Sequence, residues 1–325
     1  MNILIVNLIL STAEKGVIPR RKSNKDCMIY NFANGFVTNG HKVTVCASEE
    51  YRPLEPETNP FEVVYFKSRL PKLCKPYLIP YPVGLRKYVQ ENIAKYDLVI
   101  ASEVFQMATL LIADICKGKL VIWQELSLHN KMMFKLPSKI WYNCVVSCTS
   151  LKNALVVARS ENAKQFIKQY CRNVSDEIVE HGANGELLKP KEHAGRNFSI
   201  VGQLIARKNI NAIIEKFAKF VKKDAYSDFV LNIIGEGKER ENLEKLVGDL
   251  SIQENVKFRG FLTHNEMVVY LADSYALLVD TLQDLNMVSI PESIVSGTPV
   301  LMNTVPNTAS FVSQNRLGIA KDGWN

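Results

Sequence analysis

Asp284-Leu-Asn-Met-Val-Ser-Ile-Pro-Glu292-Ser-Ile-Val-Ser-Gly297-Thr-Pro-Val300 sets two carboxylates eight positions apart around a tight loop. The spacing starts a short helix at Pro291 and stops it at Gly297. Pro tolerates the first helical turn, and Gly accepts the left-handed position just past the end. An apolar strand follows at once over 299–302, so the segment reads as loop, helix and strand of a parallel α/β sheet. Backbone N–H groups and a positive helix end beside two acidic side chains suit a ligand carrying both phosphate and sugar. Ser289-x-x-Glu292 also spells a capping box, in which the two residues satisfy each other's backbone donors with no ligand. Taken alone, the segment admits both readings.

The same alternation extends through the second half of the chain. Strands are expected at 197–201, 228–234, 255–258, 275–280 and 299–302, with helices at 208–223, 238–249, 264–273 and 291–297 between them. In the first half, strands are expected at 2–7, 42–47, 62–66, 97–101, 119–123 and 154–157, and helices at 25–39, 83–95, 104–117 and 160–170. Runs such as Leu98-Val-Ile-Ala101 and Leu120-Val-Ile-Trp123 are apolar on both faces, as strands covered by helices on each side must be. A polar, Gly/Pro-containing stretch over 184–196 reads as a linker. The expected fold is α/β: two Rossmann-like, doubly wound parallel-sheet domains, 1–185 and 186–325, facing a cleft. Ligands of such sheets bind beyond the C-terminal strand ends.

Composition excludes several classes. The chain has 325 residues, 47% hydrophobic and 22% charged, with a formal net charge of +7. That excess is spread along the sequence, so an anionic substrate or membrane surface explains it as well as nucleic acid would, and no nucleic acid is expected. Seven cysteines form no CxxC pair, and most lie in or beside apolar runs, which favours packed free thiols in a reducing compartment. Cys144 and Cys148 would share a helix face, and a core position is expected for them over a metal site. The first ten residues lack a basic start and read as a buried strand, not a signal peptide. No stretch of about 18 uninterrupted apolar residues occurs, so no membrane-spanning helix is expected.

Three strand ends in the second half carry chemistry. Phe198-Ser-Ile-Val-Gly202-Gln203-Leu-Ile-Ala-Arg207-Lys208-Asn209 gathers a glycine and two cations at a strand-to-helix turn, where a diphosphate needs positive charge; a solvated basic helix start fits equally. Ile234-Gly235-Glu236-Gly237 lacks the third glycine of a dinucleotide fingerprint. Gly260-Phe261-Leu262 offers apolar side chains to flank a nucleobase.

In this order the segments resemble the donor-binding domain of the family 4 glycosyltransferases, the retaining group with the GT-B fold. The resemblance rests on Val-Gly202-Gln-Leu with Lys208-Asn, Ile-Ile-Gly235-Glu-Gly237, Val-Lys-Phe-Arg-Gly260, and acid-x7-Glu292 followed by Ser-Gly297-Thr-Pro-Val. In the first half, Asn31 to His41 and the strand after it add a weaker match. The resemblance implies that Glu292 binds the ribose hydroxyls of a nucleotide-sugar and that Lys208 contacts its diphosphate. It implies that the amides of Met287, Val288 and Ser289 lie near the same phosphates, and that Asp284 touches the donor sugar. Gly202, Gln203, Gly235, Phe261 and Leu262 would complete the donor site. Asp284 stands where the family usually has Glu, Leu285 and Met287 replace loop glycines, and Gln203 replaces a phosphate-binding Arg for which Arg207 can compensate. The implied chemistry uses no protein nucleophile and no cofactor; Lys208, Arg207 and the helix end stabilise the leaving diphosphate. No Asp-x-Asp pair occurs, and metal independence is expected.

The acceptor side is less legible. After Leu120-Val-Ile-Trp123, Glu125 occupies the position of a family His, and His129 follows; either would position an acceptor hydroxyl, or both are plain surface residues. Gly16 reads as a remnant of a Gly-rich first loop or as ordinary loop. The stretches 69–88 and 131–142 mix bases with aromatic and aliphatic side chains, as segments lying on an anionic membrane do, or as solvated loops do. A saccharide or lipid-linked acceptor, surface polysaccharide or glycolipid synthesis, and a cytoplasmic protein docked at the inner membrane face follow from the resemblance. Two alternatives are a GT-B nucleotide-sugar epimerase and a catalytically degenerate nucleotide-sugar-binding homologue. The sequence ends at Asn325, ahead of the closing helices that GT-B members usually carry; either they are absent or the chain is truncated.

Overall fold

A computed structural model describes every residue except 12, 14, 15, 131–134, 181, 184, 186–189, 192–194, 285, 286 and 325. Most of the 184–196 linker, Glu14, Lys15, Leu285 and part of the 131–142 segment therefore lie outside the described residues. The chain divides into two compact units, Met1–Glu180 and His181–Asn325.

The first unit holds a parallel seven-stranded sheet of order β3-β2-β1-β6-β7-β8-β9. Its strands are β1 Asn2–Val6, β2 Lys42–Ser48, β3 Glu62–Phe66, β6 Leu98–Ser102, β7 Leu120–Gln124, β8 Leu155–Ala158 and β9 Val174–Ile178. Two short strands, β4 Ser68–Arg69 and β5 Tyr81–Pro82, pair antiparallel outside it. The helices are α1 Met28–Thr38, α2 Leu85–Asn92, α3 Met107–Ile112, α4 Leu136–Ile140 and α5 Glu161–Ile167. One core forms around Leu4, Val99, Ile122 and Ile112, the other around Ile3, Val45, Tyr30 and Ala33. β1 contributes Leu4 to one and Ile3 to the other, as a strand buried on both faces does.

The second unit repeats the scheme. Its six strands run parallel in the order β12-β11-β10-β13-β14-β15. They are β10 Asn197–Val201, β11 Val230–Ile234, β12 Val256–Gly260, β13 Ala276–Val279, β14 Val300–Met302 and β15 Gly318–Ala320. Helices α6 Ile210–Val221, α7 Arg240–Asp249, α8 His264–Asp273, α9 Ser289–Val295 and α10 Ala309–Gln314 connect them. From β10 the chain winds outward to β11 and β12, then returns to β13 on the other side. The switch point, where ligands of doubly wound sheets bind, thus falls between the ends of β10 and β13.

Several expectations are corrected. α9 begins at Ser289, two residues before Pro291, and spans only seven residues. Its N-cap is Val288 with no side-chain cap, so the Ser289/Glu292 capping box does not form. Cys144 and Cys148 are exposed, whereas the other five cysteines are buried. The stretch Trp141–Val146 is a π-helix that turns Trp141, Tyr142 and Val146 inward instead. β9 and β15 were not expected: both are edge strands, β9 hidden by its mixed polarity and β15 by its length of three residues.

Candidate functional site

At the end of β10 the backbone turns sharply. Gly202 has φ +151 and Gly235, at the end of β11, has φ +138. The two strand ends pack so closely that a Cβ on Gly235 would lie 1.9 Å from the Gly202 carbonyl oxygen. A Cβ on Gly237 would lie 2.3 Å from the Leu204 carbonyl oxygen. These glycines are needed for loop-on-loop packing, which fixes the course of the chain into the next segment. Leu204 is fully buried and its N–H donates to the Glu236 carbonyl at 2.9 Å.

The anchored loop then forms a 3-10 turn, Ala206–Lys208, and passes through Asn209 at φ +53 into α6. A left-handed residue there is one Asn tolerates better than most side chains do. Thr281, just after β13, is bolted to this turn: its Oγ1 donates to the Arg207 carbonyl at 2.9 Å, and the Leu282 N–H donates to the same oxygen at 2.8 Å. Asn303, just after β14, donates its side-chain amide to the Thr281 carbonyl at 2.7 Å. Three strand ends are thus tied into one platform.

On it, Lys208 Nζ lies 2.5 Å from Asp284 Oδ2, and Arg207 Nη1 lies 3.0 Å from the same oxygen. The Lys208 and Asp284 side chains are 13% and 12% exposed, while that of Arg207 is 40% exposed. Burial pushes the Lys208 ammonium below its ordinary pKa, and Asp284 pulls it back up. A pocket beside the cluster is lined by Gly202, Gln203, Lys208, Asp280, Thr281 and Met287, among others. Asp280 is paired with Lys216 at 2.7 Å. The arrangement concentrates positive charge at a strand-end crevice and holds one carboxylate on it.

Glu292, in the first turn of α9, is 6% exposed, and its Oε1 lies 2.8 Å from His264 Nε2. Phe261 is 72% exposed at the end of β12, three residues before His264. Met287 buries its side chain in the core with Met267, Leu271 and Ile290, so any ligand contact from it would come from backbone. Ser289 is also buried, and Val288 accepts the Glu292 N–H. Sequence reasoning missed His264; its signal was a His at the start of a helix directly after the Gly260-Phe261-Leu262 segment.

In the first unit, β6, β7 and β8 end in a second charged group. Arg159 is 4% exposed, ion-pairs with Glu125 and stacks on Trp123 with its guanidinium 3.6 Å from the ring centroid. Glu103, at φ +67, accepts N–H bonds from Glu125 at 2.7 Å and Leu126 at 3.3 Å. Desolvation and then the Glu125 charge push the Glu103 carboxyl up to about 7. Glu125 was expected here; Glu103 and Arg159 were not, because only the parallel pairing of three distant strands brings them together. His129 has its Nδ1 3.1 Å from Ser138 Oγ and its Nε2 3.1 Å from the Tyr170 hydroxyl. Tyr142, Phe166 and Tyr170 ring it, so the imidazole packs in an aromatic cluster with both nitrogens engaged by Ser138 and Tyr170. Gly16 is exposed at φ +81 and packs near the Tyr77 hydroxyl.

Residues 191–323, which contain the whole Lys208–Asp284–Glu292 arrangement, match the family of glycosyl transferases group 1. That match lies within the second unit, and the curated relatives the chain resembles are glycosyltransferases. An uncharacterized glycosyltransferase of Haemophilus influenzae is 24% identical over 301 residues, covering 89% of this chain and 79% of that one. The O-antigen chain mannosyltransferase RfbU of Salmonella typhimurium is 24% identical, over 61% of this chain and 57% of its own length. Among solved structures, Anabaena HepE in complex with UDP superposes with a TM-score of 0.65 at 16% identity, covering 99% of this chain and 86% of that one. The two parallel sheets are those of the GT-B fold.

Proposed function

We propose that this glycosyltransferase is a retaining, family 4 enzyme that moves a sugar from a nucleoside diphosphate sugar to a saccharide or lipid-linked acceptor in surface polysaccharide or glycolipid synthesis. The observation that carries the reading is the convergence of Lys208 and Arg207 on one anionic oxygen at the β10–β13 switch point. A leaving diphosphate presents oxygens of the same charge to the same cations. The sugar C1–O bond to the diphosphate breaks, and the acceptor oxygen bonds C1 from the same face. The acceptor proton passes to a phosphate oxygen. Fixed cations that meet developing charge at a partly dry site give such a reaction its main stabilisation.

Glu292 is assigned to the ribose hydroxyls and Phe261 and Leu262 to the base. Asp284 is assigned to the donor sugar once the diphosphate holds the cations. RfbU supports a polysaccharide acceptor and HepE supports UDP as the first nucleotide to try. No helix among the described residues is long and apolar enough to cross a membrane, and the reading assigns a cytoplasmic protein docked at the inner membrane face. The test is a thermal-shift screen of UDP-, GDP-, ADP- and CMP-sugars followed by transfer assays with and without EDTA. Stabilisation by one donor and transfer that persists in EDTA are expected. No stabilisation by any of the four, or activity abolished by EDTA, would contradict the nucleotide-sugar and the metal-independent halves respectively.

A further inference from the structure

Glu292 and His264 reach each other from separate helices. Thr263 caps α8 with a reciprocal capping box to Glu266, which fixes the first turn and with it the direction in which the His264 ring leaves the backbone. α8 and α9 pack through Met267, Leu271 and Ile290, so the distance between the two side chains is set by core contacts. The Glu292 carboxylate is nearly buried, and a buried carboxylate is costly unless its oxygens are hydrogen-bonded. An ionised carboxylate only accepts, so the ring nitrogen 2.8 Å from Oε1 carries a proton and donates it.

We propose that His264 is a positioning residue for nucleotide recognition: its Nε2–H pins Glu292 Oε1, and thereby presents Oε2 in one orientation to the ribose 2′,3′-diol. The inference rests on the assignment of Glu292 to the ribose. A cis-diol is a pair of donors at a fixed angle, and a carboxylate recognises it best when the side chain is already held in a single rotamer. His264 supplies that constraint from the segment that also carries the exposed Phe261, so the base-facing strand end and the ribose-facing carboxylate are coupled through one ring.

The test is calorimetric titration of UDP, GDP and ADP against the full chain, then of the 2′,3′-dideoxy form of whichever binds. The wild type is expected to prefer the ribonucleotide by about tenfold to a hundredfold, because a site built to bond hydroxyls is penalised when they are missing. Glu292→Ala should erase that preference. His264→Phe should cut it to within about threefold and raise the donor KM with little change in kcat, and His264→Gln, which retains an N–H donor, should restore much of it. A merely structural role would lower the melting temperature of His264→Phe and leave the preference intact, which overturns the inference. If Glu292→Ala itself leaves the preference intact, or if no nucleotide binds the wild type, the ribose assignment fails first.

Discussion

Lys208 Nζ and Asp284 Oδ2 are 2.5 Å apart at the end of the second sheet, and Arg207 meets the same carboxylate oxygen at 3.0 Å. The carboxylate sits where a donor phosphate would have to sit if these cations bind it. On the proposed function, Asp284 competes with the donor phosphate for these cations. Its replacement by the family's usual Glu would lengthen the side chain by one methylene and alter that competition.

Asp284→Asn should expose the contest. With the charge gone, the two cations are left for the ligand, and nucleoside diphosphate should bind about threefold to tenfold tighter, as expected when a charge-assisted partner is removed. Transfer should fall at the same time, because the amide no longer serves the sugar. Calorimetry on the nucleotide and a transfer assay separate the two effects. Weaker nucleotide binding in Asp284→Asn would mean that Asp284 organises the cations instead of competing for them.

Gly235 tests the platform itself. A Cβ there would stand 1.9 Å from the Gly202 carbonyl oxygen, a distance that no side-chain rotation relieves. Gly235→Ala must separate the ends of β10 and β11, at a cost of about 3 kcal/mol or more. Calorimetry should show a melting temperature lower by roughly 10 °C for a unit of this size. An unchanged melting temperature would remove the packing account of the Gly-x-Gly motif and return these glycines to the ligand.

How much of this was legible beforehand depends on how local the cause was. Strands 62–66 and 197–201 and helix 264–273 match their expected bounds, because apolar runs and helical periodicity are local signals. Lys208, Arg207 and Asp284 could be named from the resemblance, but their ion pair could not, since 76 residues separate Lys208 from Asp284. The capping-box alternative for Ser289 and Glu292 fails for the same reason: a tertiary partner, His264, takes the carboxylate that the local pattern assigns to the backbone. β9, with Asp176 and Glu177 in its middle, carries no apolar run to find. Glu103 is a polar residue just past a strand, and its burial against Glu125 and Arg159 exists only once β6, β7 and β8 are paired.

Glu103 makes that hidden cluster measurable. Its carboxyl is raised from 4.5 to about 7, so between those values the folded chain retains a proton that the unfolded chain has released. A raised folded pKa contributes stability that is complete below the unfolded value and is lost as pH rises through the folded one. Glu103→Gln should therefore flatten the stability profile between about pH 4.5 and 7 and be relatively more stable at pH 7 than at pH 5. Denaturant titrations at the two pH values decide it. Parallel profiles for wild type and variant would mean that the strand-end site leaves Glu103 an ordinary carboxyl.

The membrane assignment turns on α4. Leu136 and Ile140 are four residues apart on it, 56% and 51% exposed, with Lys135 and Lys139 beside them. Leu128, 65% exposed, precedes them, and Leu70 and Leu73 are exposed between Arg69 and Lys75 in the other basic segment. Apolar side chains at helical spacing interleaved with ammonium groups fit the boundary of an anionic bilayer, where leucines enter the interface and lysines meet headgroups. The chain should sediment with phosphatidylglycerol vesicles at low salt and be released as salt screens the attraction. Replacing both apolar residues, Leu136→Glu with Ile140→Glu, should weaken binding by about tenfold or more, since each loses apolar burial and adds repulsion. Equal binding to neutral phosphatidylcholine would overturn the role given to the lysines, and no binding to either would withdraw the membrane assignment.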